Sequence, residues 1–411
     1  MKLKSILSML SVALVITSLL TVLQVATPVT VFAAPTTLWV APTPTGVPPG
    51  TSCAAPGYNT IEAAVTAAAS GDTINVCTGT YVEQVTISKS LTLQSYGPGP
   101  DPTIQAPLTM TADSLQPTIF PIVDIAGSTT VVSFSDFTVT GPVSTAQVGC
   151  NSGNSGIGIF VEAGATATIT HNTIKEIREQ PVVQCAAYGL GILVGRAALS
   201  TTGTATISGN TIYDYQKNGI TVDNTGSTAT ITHNTITGWS LAFQTANSIQ
   251  IAQNGIQISR GAVATVDSNT VTSNLCPLGG TCGADLIALT QATGILLYES
   301  ASGTAVKNNA VSGNDVGIYV QAAPSATKVE GNTAKNNRYA GIAFIDGTYT
   351  ASFNTVKGPG NVGIAAVAAT VVTSVTLSNN DIDHVTASIG AYAASGLTAT
   401  VLFSYSFPPH P

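Results

Sequence analysis

One eight-residue phrase recurs along the chain and narrows what it can fold into: ATITHNTI at 167–174, ATISGNTI at 205–212 and ATITHNTI again at 229–236. Looser spellings of it follow, so that one asparagine column runs through Asn172, Asn210, Asn234, Asn269, Asn309, Asn332, Asn354 and Asn380. Three residues before each Asn stands an aliphatic or alanine residue, from Ile169, Ile207 and Ile231 to Leu377, and two residues after it another, from Ile174 to Ile382. A second phrase, Gly-Ile, alternates with the first, its isoleucines at 159, 192, 220, 256, 295, 318, 342 and 364. Where no insertion intervenes, the repeat is 24 residues from Asn210 to Asn234, 23 from Asn309 to Asn332 and 22 from Asn332 to Asn354. Alternating apolar residues inside each phrase mark short strands. A repeat of this length holding three short β segments predicts an all-β fold, a single-stranded right-handed parallel β-helix of about ten coils.

A leucine-rich repeat is the rival, because its strand also carries an asparagine ladder. That architecture asks for leucine at nearly every slot and a helical return. Here the slots hold Ile, Val and Ala, and the return is the Gly-Ile phrase. Closing coil on coil pairs every strand edge and buries the aliphatic columns. The phrase begins early: STTVVSFSDFTVTG at 128–141 aligns with it if Phe137 takes the Asn slot.

The repeats are preceded by basic MKLK, an apolar run and VFAAP, which together read as a signal peptide over 1–34. The run is long for a signal, so an uncleaved anchor is the alternative, and without it the mature chain has no membrane span. Residues 35–72 are a lead-in with a capping helix: a strand at 37–40, a Pro- and Gly-rich loop, then YNTIEAAVTAAASGD with Asn59 as N-cap, Glu62 three residues on and Gly71 at the end. The β-helix occupies 73–411, opening with inward Ile74, Val76, Val85, Ile87, Leu91 and Leu93 and closing on the strand-like LTATVLFSYSF.

Removing the leader takes away Lys2 and Lys4, so 13 basic residues become 11 against 20 acidic, a formal charge of −9. That excludes nucleic acid as a natural partner. All six cysteines lie in the exported part, which predicts disulfides; proximity in sequence pairs Cys53 with Cys77, Cys150 with Cys185 and Cys276 with Cys282.

The run TIEAAVTAAASGDTINVCTGTYVEQVTISKSLTL at 60–93, followed by the NxI repeats, resembles the pectate-lyase-like superfamily, in particular bacterial NosD-like right-handed β-helix repeat proteins, from about Tyr58 to the C-terminus. The resemblance implies the fold. It does not imply one chemistry, since the superfamily spans lyases, hydrolases, esterases, epimerases, tailspikes and surface proteins. GTYVE at 79–83 is similar to the GxYxE of pectin methylesterases, but their QDTL, DFIFG and LGRPW are missing. The NTD, HG and RIK of polygalacturonases, the WIDH and RxPxxR of pectate lyases and the DPHD of mannuronan epimerases have no counterpart. The catalytic residues are therefore unassigned.

Alignment on the Gly-Ile phrase places Glu162, Arg196, Asp223, Arg260 and Glu299 in outward slots of successive coils, alternating in charge. Two readings stay open: a surface ladder of cross-strand ion pairs, or a groove whose guanidiniums take a uronate or sulfate. Phe160, Tyr298 and Tyr319 share the outward slots, where a ring either stacks on a sugar or packs between coils. The long insertions at 143–155, 176–188, 238–254 and 273–293 all enter one corner and wall one sheet, the usual place for function on a rigid scaffold.

Metal chemistry has little to stand on. His171 and His233 share a turn slot but lie two coils apart, with Gly209 between them. No cofactor is expected; calcium between Asp223 and a neighbouring acid is the one metal site considered. The Thr168/Thr170, Thr206/Ser208 and Thr230/Thr232 pairs echo the TxT arrays of ice-binding solenoids, but Asp267, Lys307, Lys328 and Glu330 break the columns. The function expected is a secreted or cell-surface β-helix that binds an extracellular polysaccharide along one sheet. The alternative is a polysaccharide lyase or glycoside hydrolase acting on an acidic glycan.

Overall fold

The computed structural model describes residues 34–144, 153–182, 188–277, 282–283, 286, 291–325, 327–358 and 360–404. Residues 1–33 and the expected Cys150–Cys185 pairing lie outside the described residues. Thr36–Pro411 is one compact unit. The two aliphatic columns and the Gly-Ile phrase become three long parallel sheets of thirteen, eleven and eleven strands. One coil runs Thr166–Thr170 in the first sheet, Thr173–Lys175 in the second and Leu190–Val194 in the third, and the next coil begins at Thr204–Ser208. Eleven strands in each of the last two sheets make eleven coils.

Register follows the repeated phrase. Ile169 pairs with Ile207, Ile207 with Ile231 and Ile231 with Val266, all fully buried. Each such side chain contributes roughly 1.5–3 kcal/mol by leaving water. Between the first and second sheets the chain turns through a left-handed residue, His171 at φ 57°, Gly209 at φ 69° and His233 at φ 57°, followed by the buried ladder asparagine. Asn234 shows the pattern: its Nδ2 donates to Ile207 O at 2.9 Å and to Asn269 Oδ1 at 2.9 Å. Its Oδ1 accepts from Asn210 N and from Asn210 Nδ2, each at 3.0 Å. The stack begins at Phe137, whose N–H donates to Asn172 Oδ1 at 3.0 Å and whose ring stacks on Phe134 at 4.7 Å, and ends at Asn380.

The Gly of the Gly-Ile phrase is a packing requirement. A Cβ on Gly219 would stand 2.6 Å from Gly255 O and 2.7 Å from Ile236 Cγ2. The corner that holds the insertions carries a second ladder that the sequence reading missed. Asn274 Nδ2 donates to Asn314 Oδ1 at 3.0 Å, Asn314 Nδ2 donates to Asn337 Oδ1 at 3.1 Å, and Tyr215 Oη donates to Asn274 Oδ1 at 2.6 Å. Its signal was there: Asn274, Asn314 and Asn337 each follow a first-ladder Asn by five residues.

The capping helix is Ile61–Ala67, and its N-cap is Thr60, not Asn59. Thr60 Oγ1 accepts from Ala63 N at 3.2 Å, while the Glu83 carboxylate accepts from Ile61 N at 2.8 Å and Glu62 N at 2.9 Å. The GTYVE glutamate thus satisfies the free N–H groups of the helix start. The helix stops at Ala67, short of Gly71. Cys53–Cys77 and Cys276–Cys282 are disulfides with Cα atoms 5.7 and 6.1 Å apart. No helix among the described residues is long and apolar enough to cross a membrane.

Candidate functional site

The three sheets differ on their outer faces. In the first, Thr166–Thr170 alternates buried and exposed residues, as a solvated strand should. In the third, Ser155–Glu162 and Asn218–Asp223 are buried at every residue, outward ones included. This sheet is roofed. Phe160 and Leu193 are covered with Ile119, Ile157 and Leu190 beside Leu199, while the insertion after the second sheet forms the short helix Leu241–Ala246 and its own apolar cluster of Trp239, Ile249 and Ile251 beside Phe243 and Val182.

Register corrects the expected five-residue charge ladder. Val161 pairs with Val194 and Val194 with Val222, so Gly195, not Arg196, stands between Glu162 and Asp223. Asp223 then pairs with Ser259, and Ser259 with Tyr298. Arg260 and Glu299 fall one residue further on, in left-handed turn positions at φ 50° and φ 53°. Glu162 and Asp223 follow their isoleucines by three residues but Arg196, Arg260 and Glu299 by four, and a slip of one moves a side chain to another column. Glu299 is exposed in its turn.

Phe160 does not offer a ring to a sugar: it is fully buried in a cluster with Ile119, Ile157, Leu190 and Leu193. Tyr319 is half-buried against Val316 and Ala340 in another apolar cluster, and burial pushes its hydroxyl up to about 12. Tyr298 is half-buried.

Asp223, Arg260 and Arg196 do come together. Asp223 is 1% exposed, and its Oδ1 accepts from Arg260 Nη1 at 3.0 Å and from Ser259 Oγ at 2.7 Å. Its Oδ2 accepts from Ala197 N at 2.9 Å. Among the described residues Asp223 has no neighbouring acids close enough to form a three-ligand group with it. The Arg260 head remains half-exposed. Burial lowers the Arg196 guanidinium, Asp223 works against the fall and the like charge of Arg260 adds to it. Among the described residues only Arg260 is ion-paired to Asp223, and Arg196 feels that carboxylate from a longer distance. Arg196 also lines a cleft of about 150 Å³ with Tyr188, Ile119, Ser155 and Leu199.

Beside this pair runs a polar floor that sequence reasoning missed. Asn218, Asn254 and Thr293 share one column of the third sheet. Asn254 Nδ2 donates to Asn218 Oδ1 at 3.1 Å and Thr293 Oγ1 donates to Asn254 Oδ1 at 2.8 Å. Gln257 Oε1 accepts from both Asn218 and Asn254, and its Nε2 donates to Ser259 Oγ at 3.0 Å. The residue before each Gly-Ile pair, Asn218, Asn254 or Thr293, was its signal.

Glu162 belongs to a different constellation. Asp113, Asp124 and Glu162 are buried with carboxylate oxygens within 4.8 Å of one another. Asp113 comes from the loop after the strand Thr103–Gln105, and its Oδ1 accepts from Leu115 N at 2.8 Å and Gln116 N at 2.6 Å. Asp124 and Glu162 come from adjacent strands of the third sheet. Burial first, and Asp113 second, pushes Asp124 up to about 8 and Glu162 up to about 7. Thr201 and Gln116 oppose the rise at Glu162, yet neither closes a hydrogen bond of good geometry on it: both its oxygens and Asp124 Oδ1 are buried without a hydrogen-bond partner.

A family model described as a right-handed β-helix region matches residues 191–382. With its three long parallel sheets, the chain has the fold of a right-handed parallel β-helix. Among solved structures, this β-helix is similar to the GH136 lacto-N-biosidase of Eubacterium ramulus, at 13% identity and TM-score 0.57, over 90% of this chain and 68% of that one. It is also similar to XylC in complex with xylose, at 13% identity and TM-score 0.50, over 84% of this chain and 69% of that one. Such likeness is of fold. No curated protein matches the sequence.

Proposed function

We propose that this β-helix is exported and binds an extracellular polysaccharide on the outer face of its third sheet, at the cleft lined by Arg196 and at neighbouring Arg260. The reading rests on one observation: Arg196 and Arg260 both lie near the single buried carboxylate of Asp223, which ion-pairs Arg260 alone, so the group carries one positive charge in excess. A uronate or sulfate is the complementary group, because a guanidinium fork takes its oxygens two at a time. The amide and hydroxyl floor through Asn218, Gln257 and Asn254 holds the strands rigid beneath, so little ordering is left to binding. Two similar solved structures, a lacto-N-biosidase and a complex with xylose, are in keeping with a carbohydrate ligand. The disulfides are in keeping with an oxidising compartment.

The test is retention of the purified chain on immobilised uronate, sulfated and neutral glycans, read with absorbance of unsaturated products. Arg260→Gln should weaken retention on the acidic glycan about tenfold or more, the loss of one charge-assisted contact. Unchanged retention in that variant ends the cleft reading. Unsaturated ends appearing in solution would make the chain a lyase rather than a binding module.

A further inference from the structure

The geometry points to a structural divalent-cation site, of the calcium class, formed by Asp113, Asp124 and Glu162 where the 106–118 loop lies on the third sheet. Three carboxylates within 4.8 Å of one another match the span of oxygens around an ion that binds them at roughly 2.3–2.6 Å. A cluster of acids alone would not carry the assignment. The deciding feature is that Glu162 is fully buried with both oxygens unpartnered, and Asp124, 4% exposed, has an unpartnered Oδ1 as well. Buried carboxylates are otherwise hydrogen-bonded or paired with a cation. Among the described residues no Lys, Arg or His lies within ion-pair distance of any of the three.

Local structure prepares the site. Two backbone N–H groups hold Asp113 Oδ1, which fixes the carboxylate and leaves its other oxygen for a ligand. Asp124 and Glu162 are fixed by strand register, Asp124 opposite Phe160 and Glu162 opposite Ala126. A cavity of about 280 Å³ reaches Asp113 and Asp124 from outside, lined also by Glu62, Gln84, Thr86 and Thr111. It supplies an entry path and room for water to complete the coordination. Calcium is favoured over magnesium because it accepts six to eight oxygens in flexible geometry and gives up water more readily. The ion would pin the 106–118 loop to two strands, which is a role in stability rather than in turnover.

The experiment is isothermal titration of the chelator-treated full chain with calcium chloride and, separately, magnesium chloride, with melting temperature followed in parallel. One calcium per chain should bind with a Kd of about 1 mM or tighter, the range of extracellular calcium modules, and raise the melting temperature. Glu162→Gln should weaken binding about tenfold or more, since affinity follows ligand charge, whereas Glu330→Gln on the exposed first sheet should leave it unchanged. If Glu162→Gln does not fold, Asp124→Asn takes its place, and the wild-type titration is decisive on its own. No heat and no thermal shift with calcium overturns the assignment. An equal response in wild type and Glu162→Gln overturns it as well. Arg260→Gln should keep the calcium response, which separates this site from glycan binding.

Discussion

The ladder asparagine can be removed one coil at a time, and Asn234→Ala is the most informative place. Its side chain is 1% exposed and sits between two further ladder residues. Truncation deletes the acceptor of Asn210 N–H at 3.0 Å and the donor to Ile207 O at 2.9 Å, both on buried residues. Other groups keep a partner: Asn210 Nδ2 still donates to Ile169 O, and Asn269 Oδ1 still accepts from Asn234 N. Ile207 O keeps the strand bond that the Ser208–Thr232 register gives it, so one buried N–H is left unsatisfied and the expected loss is about 1–3 kcal/mol. His233→Gly is the control. Its left-handed backbone already suits glycine, which fills the same slot at Gly209 and Gly331, and its effect should stay within about 0.5–1 kcal/mol. Because stacked coils unfold by neighbours rather than strictly all at once, the assay is guanidinium denaturation together with amide exchange. Protection should fall at Ile207 and Asn210 in Asn234→Ala and persist in distant coils. A midpoint shift no larger than that of His233→Gly would refute the claim that the ladder amides hold the coils.

Two further perturbations probe other parts of the molecule. Burial outweighs the Arg338 ion pair at Asp315 and pushes its carboxyl up to about 7; the folded state thus holds a proton that the unfolded chain releases near pH 4. Stability from this group is present at low pH and declines as pH rises from about 4 to about 7, so melting curves across that window should flatten in Asp315→Asn, and an unaltered slope rejects the assignment. The Cys53–Cys77 disulfide closes a 24-residue separation between the lead-in and the first sheet. Replacing both cysteines by serine should lower stability by about 3 kcal/mol, the loop-closure value for this length, and an equal guanidinium midpoint in the reduced and oxidised wild type would contradict it.

The fold was legible because the sequence repeats. Period-two aliphatics around Asn172, Asn210 and Asn234 specify both a strand and its register, since only one stacking buries Ile on Ile and amide on amide. The Gly-Ile phrase was equally readable: a Cβ at Gly219 would meet the backbone of the neighbouring coil. Even the lead-in strand Thr37–Val40 lies where the pattern put it. Small errors arose where several candidates lay side by side, as at Asn59 and Thr60, because capping depends on the local turn and on Glu83, more than twenty residues away.

The functional face was less legible, for a physical reason. Outward residues on a repeat are read by counting, and one left-handed residue at a strand end, as at Arg260 or Glu299, shifts the count by one column. Burial was also misjudged at Phe160 and Glu162. A strand's own pattern says which side faces the coil interior, but not whether an insertion elsewhere covers the other side. Asp113, Asp124 and Glu162 carry no shared spacing or motif, and only the wrapping of a loop over two stacked strands makes them neighbours. The stacked phrase, by itself, determined the coil, its ladder and the order of its sheets, because those depend on contacts between like residues one turn apart. The roof, the pairing of Asp223 with Arg260 and the acidic cluster depend on contacts between unlike residues that only the closed tertiary structure brings together.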